Sequence, residues 1–282
     1  MGGVIALRPT PNPIDFAALD KPDTSSRSAS GAIDIRNIIH RFGGATVAVS
    51  DVSLGVRPQE FVSIVGPSGC GKTTLLNLVA GLIPIEQGSI AISGAAPREG
   101  RRDIAYMLAR DSLLPWLTAR ENAAFGAKVR GVPLAERDDR ARTLLAKVGL
   151  ERFVDHYPKA LSHGMRQRVA LARTFCLDSN VLLMDEPFGA LDTQTKLQLE
   201  DILLSLWTSL RKTVVFITHD LAEAIALSDR VIVMRSRPGT IIADISIDLP
   251  RPRHVMALQK NARYHELYSE IWSKLETAFG ET

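Results

Sequence analysis

The stretch Glu60-Phe-Val-Ser-Ile-Val-Gly-Pro-Ser-Gly-Cys-Gly-Lys-Thr-Thr-Leu-Leu-Asn-Leu-Val79 decides how the rest of the chain is read. Its residues up to Val65 are apolar and partly β-branched, and predict a short buried strand. Leu75 to Val79 is an apolar run suited to a helix. Between them stands the pattern G-x-x-x-x-G-K-T, made by Gly66, Pro67, Ser68, Gly69, Cys70, Gly71, Lys72 and Thr73, with Thr74 directly after it. Glycines let such a loop turn sharply and bring its backbone close to a ligand. The amides then face one point at a helix N-terminus, where the helix dipole also favours anions.

This pattern, in this strand-to-helix setting, is a phosphate-binding P-loop. In it Lys72 places a charge on the β- and γ-phosphates of a nucleotide, and Thr73 offers a hydroxyl to Mg²⁺. Taken alone, the motif says nucleotide binding and no more.

Working outward, other short apolar runs predict strands. Upstream lies Ile33 to Arg36; downstream lie Ser89 to Ser93, Asp103 to Leu108, Val181 to Met184, Thr213 to Ile217 and Val231 to Met234. The later runs are continuous rather than alternating. That suits a sheet buried on both faces, hence an α/β fold with a parallel centre. Residues 110–165 are rich in Ala, Arg, Leu and Glu and read as helical. Leu199, Ile202, Leu203, Leu206 and Leu210 recur at helical spacing and predict core packing. A last helix is expected over about 255–279, with Leu258, Tyr264, Leu267, Tyr268, Ile271 and Leu275 on one side.

Val181-Leu-Leu-Met-Asp185-Glu186 is an apolar strand that ends in two carboxylates. In a P-loop fold this strand lies beside the phosphate loop. Asp185 can then hold Mg²⁺ through water, and Glu186 can orient or deprotonate the attacking water. Thr218-His219-Asp220 follows the next apolar strand, which places His219 within reach of the γ-phosphate and the catalytic carboxylate.

Leu161-Ser-His-Gly-Met-Arg-Gln-Arg168 opens a further helix, upstream of the acidic pair. It resembles the signature motif of ABC transporter ATPases. The resemblance covers about residues 33–250 and implies a P-loop NTPase (RecA-like) core with an antiparallel β subdomain and a helical signature subdomain. It further implies a homodimer in which Ser162 and Gly164 bind the γ-phosphate of an ATP held by the partner. Phe42 resembles the aromatic that stacks on adenine. Gly189-Ala-Leu-Asp192 resembles the D-loop, which couples the two ATP sites. The implied catalytic residues are Glu186, His219 and Lys72, and the implied metal ligands are Thr73 and Asp185.

Two positions depart from the family pattern. His163 replaces the first signature glycine and is expected on a partly exposed loop. Ala109 stands where aligned relatives carry the Q-loop glutamine, which predicts slower or less tightly coupled hydrolysis. Leu113-Leu-Pro-Trp-Leu-Thr118, followed by Glu121 and Asn122, looks like importers of nitrate, sulfonate and taurine, as does the tail Ser236 to Arg253. The resemblance implies a separate transmembrane permease whose coupling helix docks near Leu114, Pro115 and Trp116, and a substrate-binding protein beyond it. The expected place is the cytoplasmic face of the inner membrane, peripheral.

The composition agrees with a globular chain: 282 residues, 45% hydrophobic and 23% charged, enough for one large or two smaller domains. A net charge of +3 without a concentrated basic run gives no indication of nucleic acid. No apolar stretch reaches the roughly 18–20 residues that span a bilayer, and no secretory signal is seen. Cys70 and Cys176 read as free thiols. Cys70 reads as a small residue of the loop; the alternative is that helix amides and Lys72 beside it lower its pKa and make it reactive.

The expected organisation is a flexible Pro/Ser-rich extension over 1–31, an ATP-binding domain over 32–250 with its helical subdomain at about 110–165, and a helical tail over 251–282. A soluble ABC ATPase acting on ribosomes or DNA is the alternative; it would usually carry two cassettes or a long coiled-coil insertion. A generic P-loop kinase or GTPase leaves the signature unexplained.

Overall fold

A computed structural model describes residues 31–43, 46–189 and 191–280. The extension expected over 1–31 therefore falls almost wholly outside the described residues. In chain order the strands are β1 (Ile33–Phe42), β2 (Thr46–Val56), β3 (Phe61–Val65), β4 (Gln87–Ile92), β5 (Ile104–Met107), β6 (Val181–Asp185), β7 (Thr213–Ile217), β8 (Arg230–Arg235) and β9 (Thr240–Ser246). The helices are α1 (Lys72–Ala80), α2 (Ala119–Val129), α3 (Leu134–Lys147), α4 (His163–Cys176), α5 (Thr193–Leu210), α6 (Leu221–Leu227), α7 (Val255–Leu258) and α8 (Ala262–Gly280).

Two sheets form. The larger has the order β5-β6-β7-β3-β8-β9; the smaller is β2-β1-β4. In the larger sheet every pairing from β5 to β8 is parallel, and β9 adds an antiparallel edge. Every residue of β3 and β7 is buried, as their unbroken apolar runs predict for a sheet covered on both faces. The smaller sheet is antiparallel throughout.

The two faces of the parallel sheet carry separate cores. One joins Phe61, Met184 and Phe216 to the helical layer of α2, α4, α5 and α8. The other joins Val62, Ile64 and Leu183 to α1 and the antiparallel sheet. Alternation of side chains along each strand divides its residues between these cores. Trp207 of α5 is fully buried edge-on to Phe61 and donates its indole N–H to the Lys212 carbonyl at 2.8 Å.

Strands β2 and β9 were not expected. β2 loses its register with β1 at several points, which blurs the period-2 pattern that would reveal it. β9 is an edge strand of mostly half-buried residues, so it lacks an apolar run. The helix expected over 255–279 is two helices. The Asn261 side chain accepts the Tyr264 amide hydrogen at 3.2 Å and starts α8 afresh. Leu267 and Ile271 are fully buried, whereas Tyr268 is exposed and stacks on Trp272. Arg253, itself buried, ties the approach to these helices by donating to the carbonyls of Ser228 (2.6 Å) and Leu249 (2.9 Å).

Candidate functional site

The site residues sit mainly at the carboxyl ends of β3, β6 and β7 and at helix starts. Gly71 caps α1 in the left-handed conformation, so Lys72 and Thr73 open the helix. The loop before it rests on the antiparallel sheet and on the β8–β9 turn. Gly239 of that turn donates its amide hydrogen to Ala48 at 3.2 Å and accepts from Ser50 at 2.9 Å. A Cβ at Gly239 would lie 2.2 Å from the Cys70 carbonyl oxygen, so only glycine lets the turn brace the phosphate loop. Gly239 lies in the tail stretch read from the sequence, but its bracing role depends on a contact across 169 residues of chain that no local pattern announces.

The Lys72 ammonium is buried and donates to the carbonyls of Gly66 and Pro67 at 2.9 Å each, with the Cys70 sulfur 3.7 Å away. Cys70 has no exposed surface, and desolvation raises its pKa despite the opposing charge of Lys72. The reading of Cys70 as a small loop residue agrees with this, and the reactive alternative does not: burial outweighs the lysine, and the thiol is covered.

The Thr73 hydroxyl donates to both Asp185 carboxylate oxygens, at 3.1 and 3.0 Å. Burial raises the Asp185 pKa, the Thr73 hydrogen bond opposes this, and the neighbouring Glu186 charge adds to the rise. Two hard oxygen donors thus face one point. No cluster of three or more His, Cys, Asp or Glu capable of caging a metal exists among the described residues. Such an incomplete oxygen set fits Mg²⁺, which keeps water and phosphate oxygens in its octahedron.

Glu186 follows Asp185 with φ 46°, an uncommon left-handed backbone for glutamate. Its amide hydrogen bonds the Ile217 carbonyl at 3.0 Å, which joins it to the end of β7. Its carboxylate lies 3.0 Å from His219 Nδ1. Both side chains remain well exposed, so water has access to the pair. Phe42 is 52% exposed at the end of β1, with its ring edge-on to His40 at 4.9 Å, and leaves a face free to stack.

Ser162 caps α4 and accepts the Met165 amide hydrogen at 3.2 Å. No hydrogen bond or ion pair joins it to the phosphate loop among the described residues. The structure thus gathers Lys72, Thr73, Asp185, Glu186 and His219 in one place, and leaves Ser162 and Gly164 at a separate helix start. Asp192 caps α5 by accepting from Thr195 at 3.0 Å; Ala190 of the same motif lies outside the described residues.

His163 is the first residue of α4 rather than part of a loop. Its Nδ1 lies 4.0 Å from the Asp111 carboxylate and 3.3 Å from the Arg166 guanidinium, and its Nε2 is buried without a partner. Arg166 pairs with the same Asp111 at 2.9 Å, while Arg173 donates to the Asp111 and Ser112 carbonyls at 2.7 and 2.9 Å. The segment after β5 is therefore stitched to the signature helix. Ala109 is exposed, and its carbonyl accepts a long 3.4 Å bond from Gln167. Further on, the buried Asn122 side chain binds Leu114 through its amide and carbonyl, at 2.8 and 3.1 Å. This holds the turn that presents Pro115 and Trp116, the latter 68% exposed.

Comparison with known proteins places this geometry. The family model described as "ABC transporter" matches residues 49–189. The chain is 41% identical to a taurine import ATP-binding protein of Rhizobium johnstonii, over 82% of this chain and 90% of that one. It is 43% identical to a nitrate import ATP-binding protein of Synechocystis, over 77% of this chain and 82% of that one. Among solved structures it resembles a dimeric ATP-binding cassette bound to ADP and phosphate, with 30% identity and a TM-score of 0.67, covering 77% of this chain and all of the other. The chain accordingly belongs to the ABC transporter family, in which it is an ATP-binding ATPase cassette of the importer type.

Proposed function

We propose that the chain energises uptake of a small anion, of the nitrate, sulfonate or taurine kind, through a separate permease at the cytoplasmic face of the membrane. The relatives named for taurine and nitrate import support the solute class. No helix among the described residues is long and apolar enough to cross a membrane; in this reading the permease supplies the transport path. Trp116 and Pro115, held out by Asn122, offer an apolar surface for a permease helix.

The observation that carries the reading is the split of the site. Lys72, Thr73, Asp185, Glu186 and His219 meet on one side, while Ser162 opens a helix elsewhere with its hydroxyl hydrogen uncommitted to the cap it forms. Two copies facing each other would complete two sites, each with the phosphate loop of one and Ser162 and Gly164 of the other. The phosphate-loop amides and Lys72 bind the β- and γ-phosphates, and Phe42 stacks on the adenine. Thr73 and Asp185 would hold Mg²⁺, which supplies neutralisation of charge on the phosphate oxygens. Glu186 orients the attacking water and accepts its proton, with His219 fixing the carboxylate through the 3.0 Å contact. Asp192, capping α5 next to this arrangement, contacts the opposite copy.

Glu186→Gln is the test. It keeps the shape of the site and removes the proton acceptor, so ATP should drive the chain into a stable dimer measurable by light scattering. A chain that binds ATP and stays monomeric would contradict the two-copy site.

A further inference from the structure

The first turn of α5 touches both halves of the machinery described above. Asp192 caps it. Thr195 packs on the signature: a Cβ on Gly164 would lie 2.5 Å from the Thr195 methyl, so the signature glycine is also the residue that lets α4 and α5 approach. One residue on, the Lys196 ammonium pairs with Asp220 at 2.7 Å and lies 3.7 Å from Glu223. Asp220 follows His219 directly and caps α6 by accepting from Ala222 and Glu223 at 2.8 and 3.3 Å. Glu223 is buried, hydrogen-bonded to the Thr218 hydroxyl just before His219, and one of its oxygens has no partner. Lys196 therefore holds the His219 loop directly through Asp220 after the histidine, and through Glu223 reaches Thr218 before it.

The cost of this grip argues against a purely architectural role. Lys196 faces Asp220, Glu223 and the buried Glu200, while Asp201 acts on Glu200 and His219 on Glu223. One ammonium thus serves several buried carboxylates. Burial pushes the pKa of Glu200 up to about 8 and that of Glu223 up to about 7, with Lys196 opposing both. An apolar side chain at 196 with neutral neighbours would be the cheaper way to pack these helices.

We propose that Lys196 is a positioning residue for ATP hydrolysis: it links the α5 turn that packs on the signature glycine to the loop that aims His219 at Glu186. The proposal rests on the two-copy reading above. In that arrangement Gly164 serves the partner's nucleotide and His219 serves the chain's own. The α5 turn then lets engagement at one site set the histidine at the other, within a single chain.

The test compares Lys196→Met, Lys196→Arg and the pair Lys196→Met/Glu223→Gln, the last restoring the buried charge balance. Each is read for melting temperature, ATP affinity and the dependence of hydrolysis on ATP concentration. Lys196→Met should bind ATP as the unaltered chain does, but lose kcat on the order of tenfold and lose any cooperativity in ATP. Lys196→Arg should recover most of kcat. The double variant should melt at or above the unaltered chain and still hydrolyse slowly. Wild-type kcat in a folded Lys196→Met or double variant would overturn the proposal, as would a loss confined to ATP affinity, or no recovery with arginine. Unfolding of both methionine variants would assign Lys196 to architecture alone and overturn it too. Absence of hydrolysis in the unaltered chain would instead sink the proposed function, and this inference with it.

Discussion

Thr73 and Asp185, 112 residues apart in the chain, meet through a hydroxyl that hydrogen bonds both carboxylate oxygens at 3.1 and 3.0 Å. The helix that leaves the phosphate loop and the strand that ends in the acidic pair are thereby registered to each other. If this pair holds Mg²⁺, Asp185→Asn should weaken ATP binding about tenfold or more with Mg²⁺ present and far less in EDTA. Titration of a fluorescent ATP analogue under both conditions separates the cases. An equal loss in EDTA would remove Asp185 from the metal site.

Ala109 leaves room for a longer side chain such as glutamine, since it is exposed and its carbonyl accepts only a long bond from Gln167. Ala109→Gln should raise permease-stimulated hydrolysis at least about twofold, roughly 0.4 kcal/mol off the barrier. Steady-state ATPase assays with and without the permease check it; unchanged rates would show that the alanine costs nothing.

Trp116 is exposed, so it is not the buried core aromatic that a loop of this composition often carries. Its removal should leave folding intact. Trp116→Ala should weaken permease association by about 2 kcal/mol, the scale of an interface hot spot, with ATP affinity and melting temperature unchanged. Co-purification with the permease and a thermal melt decide it, and a lower melting temperature would return Trp116 to a packing role.

Glu200 and Glu223 make stability depend on pH in a defined sense. Both carboxyls have folded pKa values raised above the ordinary 4.5, chiefly by burial, to about 8 and about 7. The folded chain therefore holds protons that the unfolded chain has released. Their contribution to stability is fully present below about pH 4.5 and is lost as pH rises through about 7 to 8. Glu200→Gln should flatten that decline and raise the melting temperature at pH 8 by about 3 °C or more. Melts across pH 5–9 measure both slopes, and parallel slopes would mean that Glu200 is not the group responsible.

The parallel sheet was legible because β3, β6 and β7 are buried on both faces and so are written as unbroken apolar runs. The motifs were legible because Gly71, Ser162, Asp192 and Asp220 each start a helix, and capping is a local matter of residue type. What escaped was set by distant partners. β2 and β9 take their form from pairing rather than pattern. The bracing of the phosphate loop by Gly239 and the Lys196–Asp220 pair depend on the tertiary fold. The two readings of Cys70 could not be separated in sequence, where proximity to a lysine is visible but the desolvation that overrules it is not. At the C-terminus, periodicity carried the helix straight through Asn261, whose capping side chain breaks it.

The contacts of Asp111 have a mechanical corollary. Arg166 and Arg173 clamp the residues between β5 and Trp116 onto α4, and Ser162 is the cap of that same helix. Asp111 and Ser112 lie four to five residues before Trp116, so the loop that leads to the tryptophan and the helix that begins at the serine share these ties. A load on that loop therefore has a side-chain route into α4 through Arg166 and Arg173.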